Sequence, residues 1–481
     1  MTDAPDPIKF GTDGWRAEIA RAFTFANVER VAQAYADYLA SELKGAPAES
    51  LVVVGYDRRF HSENFAQRAA EILAGNGFQI AMFTEAVPTP IVSWTVKDQG
   101  AVGGIMITAS HNPAEFNGFK IKAPWGGSAS PETTSAVEEL LDASHVLRKE
   151  FVNQPNDERL RNSIESYRVQ VQSYFDLDRL KQAQLSIIID PMHGSGGTWV
   201  ESFLGGGKIK LETIRAYRDP LFGGVNPEPI DRNLAALKER VTKTASIVGL
   251  ATDGDADRVG AVNDLGETMT MHEVVPLILL HMARERKMTG AVVRTFSQSV
   301  LIKRIAEALG MKVYETPIGF KYVADLMLRE DILLGAEESG GIGVKGHIPE
   351  RDGILNSLLL LEAIVAAGKP PSEMVHEMHR EFGEFYFDRR DLPMEVKGGQ
   401  DFVQQLAAKP PANIGGDQVS GIETKDGTKL LFADESWLLF RQSGTEPVLR
   451  IYCEATSREK RDRLLEDGVK AAEKSGGMPP S

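Results

Sequence analysis

Three stretches of the chain repeat one pattern of apolar and polar positions. Each begins with a short apolar run, passes through a polar turn into apolar residues at helical spacing, and then reaches a glycine and a second apolar run. This order is typical of a β-strand, a crossover helix and a second, parallel β-strand. The stretches begin at Leu51, Leu185 and Ala291, at unequal intervals that a repeat array would not have. We therefore expect three similar mixed-sheet α/β domains in series.

The carboxyl-terminal part of the chain has a different pattern. The segment "WLLFRQSGTEPVLRIYCEA" indicates two strands around a turn-rich loop, and an exposed helix with Ser457 as its N-cap follows. This pattern favours a smaller α+β fourth domain. Polar and turn-rich segments place the predicted domains at residues 1–155, 156–266, 267–385 and 386–481.

Composition indicates a soluble globular protein. Of the 481 residues, 42% are hydrophobic and 25% are charged, and no window approaches the roughly 18 uninterrupted apolar residues of a membrane span. The amino terminus has no basic region followed by an apolar one, so we expect no secretory signal. The single cysteine, Cys453, excludes an internal disulfide and is typical of a reducing compartment. We therefore expect a cytoplasmic protein.

Net charge restricts the class of partner. The chain carries a formal charge of −14, which argues against an extended surface for nucleic acid or for an anionic membrane. An acidic protein can still bind a phosphate if arginine, lysine and backbone amide groups converge in one pocket. Basic residues beside glycine-rich turns are therefore the ones to follow.

One serine stands where a reactive group is expected. In "ITASHNPAEFNGFKI" an apolar run ends near Thr108, which predicts a buried strand with Ser110 in the loop beyond its carboxyl end. Ligands and exposed nucleophiles occupy such loops in α/β sheets, so we expect an exposed Ser110 hydroxyl. A plain hydrogen-bonding turn is the alternative, because Asn112-Pro113 is a turn signal by itself.

A second motif, "LATDGDADRVGAV", alternates three aspartates after an apolar run. Carboxylates of Asp253, Asp255 and Asp257 in one loop can converge on a hard cation such as Mg²⁺ or Ca²⁺. An EF-hand is excluded, because Arg258 occupies the position of its glycine and no helix pattern flanks the loop. Aspartates that serve only as turn residues remain the alternative.

Two further motifs have the composition of sugar-binding turns. In "LLGAEESGGIGVKGHIPERDG", Glu337 and Ser339 follow an apolar run and precede glycines that admit close approach of a ligand. Hydroxyl-rich ligands need such acceptors and donors, although a charged turn explains the same residues. Upstream, Lys321 stands two residues after Gly319 in "ETPIGFKYVADL".

The last motif, "RQSGTEP", has the composition of a phosphate-binding loop. Arg441, Ser443 and Thr445 surround Gly444 and can supply a bidentate guanidinium, two hydroxyls and free amides to a phosphate. A plain hairpin loop would explain Gly444 and Pro447. It would not explain the other three residues together.

Taken together, the motifs "GTDGWR", "TASHNP", "DGDADR", "AEESGG" and "RQSGTEP" resemble those of the α-D-phosphohexomutase family, in the same order and over nearly the whole chain. The resemblance implies four domains around a central cleft, with a phosphoserine and Mg²⁺ in the first two. It implies a catalytic group of Ser110, His111, Lys120 and Arg16. It implies metal ligands at Ser110, Asp253, Asp255 and Asp257. It implies substrate contacts from Glu337, Ser339, Gly319, Lys321, Arg258, His347, Arg441, Ser443, Gly444 and Thr445.

The same resemblance implies a mutase reaction. Phosphoserine 110 would donate its phosphoryl group to a hexose phosphate, and a hexose 1,6-bisphosphate would serve as intermediate and activator. Gly341 stands where mannose- and glucosamine-phosphate mutases of the family tend to carry histidine, which favours a phosphoglucomutase acting on glucose 1-phosphate and glucose 6-phosphate. A phosphomannomutase or phosphoglucosamine mutase is the alternative. Gln442, where many members have proline, leaves the ligands of the last loop intact.

A third reading is a sugar-phosphate-binding protein without activity. Loss of catalysis would relax the nucleophile or the metal ligands. Ser110 and all three aspartates are present, so the sequence disfavours this reading.

Overall fold

The computed structural model describes residues 8–11, 13–43, 47–444 and 447–475. Within these residues the chain forms two compact units. The first contains the described residues up to 269 together with 327–329 and 339–372. The second contains residues 270–326, 330–338 and the described residues from 373 onwards.

The first sheet is mixed and has the strand order β1-β5-β4-β2-β3. Its strands are Trp15–Glu18 (β1), Leu51–Tyr56 (β2), Gln79–Met82 (β3), Gly103–Ile107 (β4) and Phe116–Lys122 (β5). Strand β2 runs parallel to β3 and β4, whereas β5 is antiparallel to β4 and β1. The accompanying helices are Phe25–Glu42 (α1), Ser62–Gly75 (α2), Thr89–Asp98 (α3) and Pro131–Glu139 (α4).

The second sheet repeats this plan with the order β10-β9-β8-β6-β7. Its strands are Ser186–Asp190 (β6), Lys210–Thr213 (β7), Val248–Thr252 (β8), Val259–Asn263 (β9) and Thr268–Met269 (β10). Strand β6 is parallel to β7 and β8, and β9 is antiparallel to β8 and β10. The helices of this region are Glu158–Tyr174 (α5), Leu177–Gln182 (α6), Trp199–Leu204 (α7) and Ala235–Thr244 (α8).

The third sheet places three parallel strands in the order β12-β11-β13. They are Ala291–Thr295 (β11), Val313–Thr316 (β12) and Ile332–Ala336 (β13). Their helices are Met271–Leu280 (α9), Val300–Ala308 (α10) and Phe320–Arg329 (α11), and a π-helical turn, His281–Glu285, follows α9. Leu301, Ile302 and Ile305 of α10 are buried as their spacing predicts. Gly310 takes φ +68 after α10, which confirms it as the stop residue.

One helix of the first unit packs on the second sheet. After Ile342–Val344 (β14), helix Gly353–Ala367 (α12) lies against β8 and β9 and is buried along most of its length. The Asp352 carboxylate caps it by accepting hydrogen bonds from the amides of Ile354 and Leu355 at 3.0 and 2.9 Å. The Gly353 amide also donates to the Ala256 carbonyl at 3.0 Å, which fixes the start of α12 beside the loop between β8 and β9.

The fourth sheet is antiparallel, in the order β15-β21-β20-β19-β18. Its strands are Tyr386–Pro393 (β15), Gly421–Glu423 (β18), Thr428–Leu431 (β19), Trp437–Gln442 (β20) and Val448–Ala455 (β21), beside a two-stranded ladder of Asn413–Ile414 (β16) and Asp417–Gln418 (β17). The helices are Pro371–Phe382 (α13), Val396–Ala408 (α14) and Arg458–Glu473 (α15). Ser457 caps α15 by accepting the Lys460 amide at 3.1 Å, as predicted.

The predicted fold class is confirmed. All three stretches form a strand, a helix and a parallel strand, and the last sheet is antiparallel. In the described part of the chain no single helix is long and apolar enough to cross a membrane; α12 and α13 pass that test only when taken together. The four domain boundaries stay predictions.

Candidate active site

Ser110 lies in the loop that follows β4, as the sequence predicts. Its backbone takes the left-handed conformation with φ +53, and its Oγ donates a hydrogen bond to Asp253 Oδ2 at 2.7 Å. A turn is also present, since the Asn112 amide donates to the Ala109 carbonyl at 3.0 Å. The expectation of an exposed hydroxyl is wrong, because Ser110 is fully buried. Its burial follows from the approach of a loop more than a hundred residues away in sequence.

That loop joins β8 to β9 and carries the three predicted aspartates. Asp253, Asp255 and Asp257 are fully buried, and one carboxylate oxygen of each lies within 4.8 Å of those of the other two. Asp255 Oδ1 and Asp257 Oδ1 are buried without a hydrogen-bond partner among the described residues. Unpaired buried carboxylate oxygens are costly unless a cation meets them. An oxygen-only donor set of this kind suits Mg²⁺ or Ca²⁺, so the residues can bind a metal ion.

A lysine neutralises part of this negative charge. Lys120, on β5, is buried, and its Nζ lies 2.8 Å from Asp13, 2.9 Å from Asp255 and 3.3 Å from Asp257. Burial alone lowers the pKa of Lys120, but the three carboxylates raise it above its ordinary value. The side chain is therefore an ammonium group within this cluster.

The acidity of Asp253 differs from that of Asp255. Burial raises the pKa of Asp253 well above its usual range, and the charges of Asp255 and Asp257 raise it further. Burial also acts on Asp255, but the Lys120 ammonium and a hydrogen bond from Thr89 at 2.6 Å hold its pKa below the ordinary value. A bound cation would favour the ionised form of all three carboxylates.

Four charged residues around the cluster were not selected from the sequence: Asp13, Lys122, Glu350 and Arg351. Arg351 Nη2 lies 2.6 Å from Asp13 and 2.8 Å from Asp257. The neighbouring Glu350 pairs with Lys122 at 2.7 Å. Asp13 lies in the "GTDGWR" motif and Arg351 in "PERDG", but 338 positions separate them. Only the fold brings them together.

The other predicted residues around Ser110 lie on neighbouring elements. Arg16, on β1, donates to Asn112 Oδ1 at 2.7 Å and so contacts the serine loop. The Arg258 amide donates to Asp253 Oδ1 at 3.1 Å, and its guanidinium Nε lies 3.8 Å from Asp257. His111 follows Ser110 directly in the chain. The serine loop, the aspartate loop and these cations form one site, which we call the serine-aspartate site.

Ser339 and His347 occupy different surroundings within the first unit. Ser339 Oγ is buried and has no hydrogen-bond partner among the described residues. The carbonyl of the next residue, Gly340, accepts the Val259 amide at 3.1 Å, which fixes the segment against β9. His347 Nε2 lies 3.0 Å from Asp352, and its ring stacks on Trp94 at 5.5 Å. The imidazole is thus part of a buried aromatic cluster, and its contact with substrate stays a prediction.

In the second unit, Arg441 is held by an aspartate that the sequence analysis missed. Arg441 lies on β20, and its Nε donates to Asp426 Oδ1 at 2.9 Å. The other oxygen, Asp426 Oδ2, accepts the Ile318 amide at 2.8 Å. Gly427, at φ +92, allows this turn, because a Cβ there would meet the Phe440 carbonyl at 2.3 Å. The "DG" turn between β18 and β19 was the available sequence signal.

The remaining predicted contacts of the second unit lie at the ends of helices and strands. Gly319 precedes α11 with φ +137, and Lys321 lies in the first turn of that helix. Glu337 directly follows β13 and is buried. Burial lowers the pKa of Arg441, but Tyr452 and Asp426 raise it to a net value above the ordinary one. Ser443 is buried, Gly444 is exposed, and Thr445 lies outside the described residues.

Comparison with known proteins finds matches over most of the chain. Four family models match the chain in order, each described as a domain of phosphoglucomutase/phosphomannomutase: the alpha/beta/alpha domains I, II and III and the C-terminal domain. They cover residues 7–146, 165–266, 271–382 and 390–471.

Individual relatives span almost the whole chain. A phosphoglucomutase/phosphomannomutase of Thermococcus kodakarensis is 31% identical over 97% of this chain and 98% of its own length. A candidate phosphoglucosamine mutase of Methanothermobacter thermautotrophicus is 30% identical over 94% and 95%. The crystal structure of a phosphomannomutase candidate from Thermus thermophilus has a TM-score of 0.85 and 36% identity, covering 98% of this chain and all of that one. The chain therefore belongs to the phosphoglucomutase/phosphomannomutase family, the α-D-phosphohexomutases, which are intramolecular phosphotransferases.

Proposed function

We propose that this phosphohexomutase interconverts glucose 1-phosphate and glucose 6-phosphate through a phosphoserine at residue 110 and a glucose 1,6-bisphosphate intermediate. The observation that carries the proposal is the 2.7 Å contact of Ser110 Oγ with Asp253, inside a cluster of three carboxylates. The sequence has no obvious His-Asp triad beside Ser110, which suits an enzyme whose resting form already carries the phosphoryl group. Phosphoryl transfer then depends on positioning and on charge.

In the proposed reaction each phosphoryl group and each proton that leaves one oxygen is taken up by another. In the first step the bond between phosphorus and Ser110 Oγ breaks, phosphorus bonds to the free hydroxyl oxygen of the sugar phosphate, and the hydroxyl proton passes to Oγ. The bisphosphate then reverses its orientation in the site and returns its other phosphoryl group to Ser110. We propose that Lys120 and Arg16 assist the proton transfer as hydrogen-bond donors, because the Lys120 ammonium borders the aspartates and Arg16 contacts Asn112 in the serine loop.

The three clustered aspartates would provide oxygen ligands for a divalent cation. We propose that Asp253, Asp255 and Asp257 hold Mg²⁺ together with Ser110 or its phosphate. When bound, the ion neutralises charge on the transferring phosphoryl group. The buried oxygens of Asp255 and Asp257 that accept no hydrogen bond from a described residue support this assignment. Arg258 and His111 border the same loops and complete the proposed group around the phosphate.

The sugar and the second phosphate need separate contacts. We propose that Glu337 and Ser339 bind sugar hydroxyls and that Lys321 and the Gly319 turn bind the substrate beside them. The loop that begins at Arg441 would hold the phosphate that is not being transferred, through the guanidinium, Ser443, Gly444 and Thr445. We propose His347 as a further substrate contact, on the basis of the family resemblance.

The choice of hexose rests on a narrower argument. Gly341 replaces the histidine that is typical of mannose- and glucosamine-phosphate mutases, which supports glucose. The relatives carry all three kinds of name, so a mannose or glucosamine phosphate is the second candidate. Glucose and mannose differ at C2 alone, and one mispaired hydroxyl costs about 1–3 kcal/mol, or about 5- to 150-fold in efficiency.

A coupled assay tests the proposal directly. Wild-type protein would be supplied with Mg²⁺ and each hexose 1-phosphate in turn, with and without the matching 1,6-bisphosphate. We expect turnover of glucose 1-phosphate, stimulation by the bisphosphate and a preference over mannose 1-phosphate within the range above. Equal or better efficiency on mannose or glucosamine 1-phosphate would reverse the choice of hexose. No turnover with any of them would leave a sugar-phosphate-binding protein.

A further inference from the structure

A buried arginine encloses the backbone of the serine loop. Arg59 is fully buried and belongs to the segment "GYDRR" at the end of β2. Its Nη2 donates to the carbonyls of Ser110 and Asn112 at 2.7 and 2.6 Å. Its Nη1 donates to the carbonyls of Pro113 and Phe116 at 2.7 and 3.0 Å. One guanidinium therefore donates to three carbonyls of the loop that carries Ser110 and to the first carbonyl of β5.

The same arginine is joined to the other side of Ser110 through an aspartate. Arg59 Nε lies 3.2 Å from Asp57 Oδ2, and that oxygen also accepts the Thr108 hydroxyl at 2.6 Å. Thr108 Oγ1 in turn accepts the Ser110 amide at 2.9 Å. The Arg59–Asp57 ion pair is thus linked to Ser110 at two points. Arg59 contacts the Ser110 carbonyl directly, and Asp57 reaches the Ser110 amide through Thr108.

Residues of the second sheet's region close over this arrangement. The ring of Phe222 lies 4.9 Å from the Arg59 guanidinium carbon, in a cation–π geometry. The Arg218 Nη2 donates to the Arg59 carbonyl at 3.1 Å. Arg59 is therefore fixed from both sides and has little freedom to follow a moving loop.

We infer that Arg59, acting with Asp57, is a positioning residue for phosphoryl transfer. It holds Ser110 in its left-handed conformation, so that Oγ faces the aspartate loop. This conformation is unfavourable for a residue with a side chain and persists only where surrounding contacts impose it. Lysine cannot replace Arg59 fully, because it has one nitrogen and cannot reach four carbonyls in a fixed plane. The catalytic consequence rests on the proposed function; the effect on loop geometry does not.

The test compares Arg59→Ala and Arg59→Lys with Arg68→Ala. Arg68 is a matched control in the same domain: it pairs with Glu29 and Glu71 and lies 5.1 Å from the Phe25 ring, and none of these partners is in the serine loop. Each protein would be phosphorylated with glucose 1,6-bisphosphate that carries labelled phosphoryl groups, desalted and mixed with unlabelled glucose 1-phosphate. The rate at which the label leaves Ser110 counts only phosphorylated molecules, so a smaller folded fraction does not alter it.

We expect Arg59→Ala to transfer its phosphoryl group about 100-fold more slowly, with a KM within about threefold of wild type, because a displacement near 1 Å has this effect on reaction rate. Arg59→Lys should recover part of the loss, and Arg68→Ala should resemble wild type. If Arg59→Ala does not fold, Arg59→Lys alone decides, and a wild-type rate in it would overturn the inference.

Hydrogen exchange of the serine loop is a second measurement, and it does not depend on activity. Backbone amides between residues 107 and 116 should exchange at least about tenfold faster in the Arg59 variants than in Arg68→Ala, since the loop opens locally. Unchanged exchange, or a normal transfer rate despite faster exchange, would overturn the inference. If the wild-type protein takes up no phosphoryl group, the proposed function is wrong and the exchange arm alone decides on Arg59.

Discussion

Arg441→Ala is the substitution that best examines the proposed distal phosphate loop. The two hexose phosphate isomers must each present a hydroxyl to Ser110 while their own phosphate is held elsewhere. One anchor then serves both orientations. Among the described residues Asp426 accepts a hydrogen bond from Nε of Arg441, and we propose that the two terminal nitrogens of the guanidinium bind the anion.

The expected magnitude follows from these contacts. A hydrogen bond to a charged group contributes about 1.5–3 kcal/mol, which corresponds to about 10- to 150-fold in affinity. We therefore expect Arg441→Ala to raise KM for both isomers by that factor. Arg441→Lys should restore charge but not the two-pronged geometry, and so recover only part of the loss. Asp426→Asn keeps an acceptor oxygen but loses its charge. We therefore expect it to change KM for both isomers by about fivefold, or about 1 kcal/mol.

The assay is a forward and reverse kinetic comparison at saturating Mg²⁺. Arg461→Ala is the control, because Arg461 is a half-buried arginine of the same domain that pairs with Asp462 at 2.6 Å. We also expect faster loss of phosphate from phosphoserine in Arg441→Ala when ligand is bound, since a poorly anchored ligand excludes water less well. An effect on one isomer only would show that the loop does not serve both orientations. An unchanged KM for both would refute its assignment as the phosphate anchor.

Three other outcomes follow from the site and the fold. Chelation should abolish activity and Mg²⁺ should restore it, with Asp255→Asn requiring more Mg²⁺ for half-maximal rate; full activity in excess chelator would contradict the aspartate site. The preference for glucose over mannose 1-phosphate should lie between about 5- and 150-fold, measured as kcat/KM. Glu454 is buried, and although burial raises its pKa, His272 and donors from Ser299 and Val300 lower it from 4.5 to about 2. Because the pKa of Glu454 is lower in the folded protein, its carboxylate adds about 3 kcal/mol to the free energy of unfolding above pH 4.5. That contribution is lost as the pH falls through about 2. The thermal midpoint of Glu454→Gln should therefore depend less on pH between 5 and 2.5 than that of wild type. An unchanged slope would contradict a stabilising role of the Glu454 carboxylate.

Sequence patterns predicted the local architecture because local rules govern it. The apolar runs and helical spacing located all three parallel units, and Ser457 and Gly310 marked helix ends correctly. The rule that ligands meet the carboxyl ends of strands placed Ser110 and the aspartates on loops. Their mutual contact was implied by the family resemblance and not by spacing.

The missed residues have partners that carry no sequence signature. Arg59 binds backbone carbonyls 51 to 57 positions away, and a carbonyl is the same in every residue. Asp426 accepts an amide 108 positions away. The burial of Ser110 was missed for the same reason, because Asp253 approaches it from 143 positions away. Such contacts depend on how sheets pack, which apolar periodicity does not encode.

The most direct measurement of the central claim is the intact mass of the protein with peptide mapping of the modified residue. Samples would be treated with phosphatase and then with glucose 1,6-bisphosphate and Mg²⁺. Ser163→Ala is a matched control, because Ser163 is also fully buried and donates to an aspartate, Asp98, at 2.6 Å. We predict one phosphoryl group on Ser110 in wild type and in Ser163→Ala, and none in Ser110→Ala. Wild-type protein that takes up no phosphoryl group, or that carries it on another residue, would contradict the account.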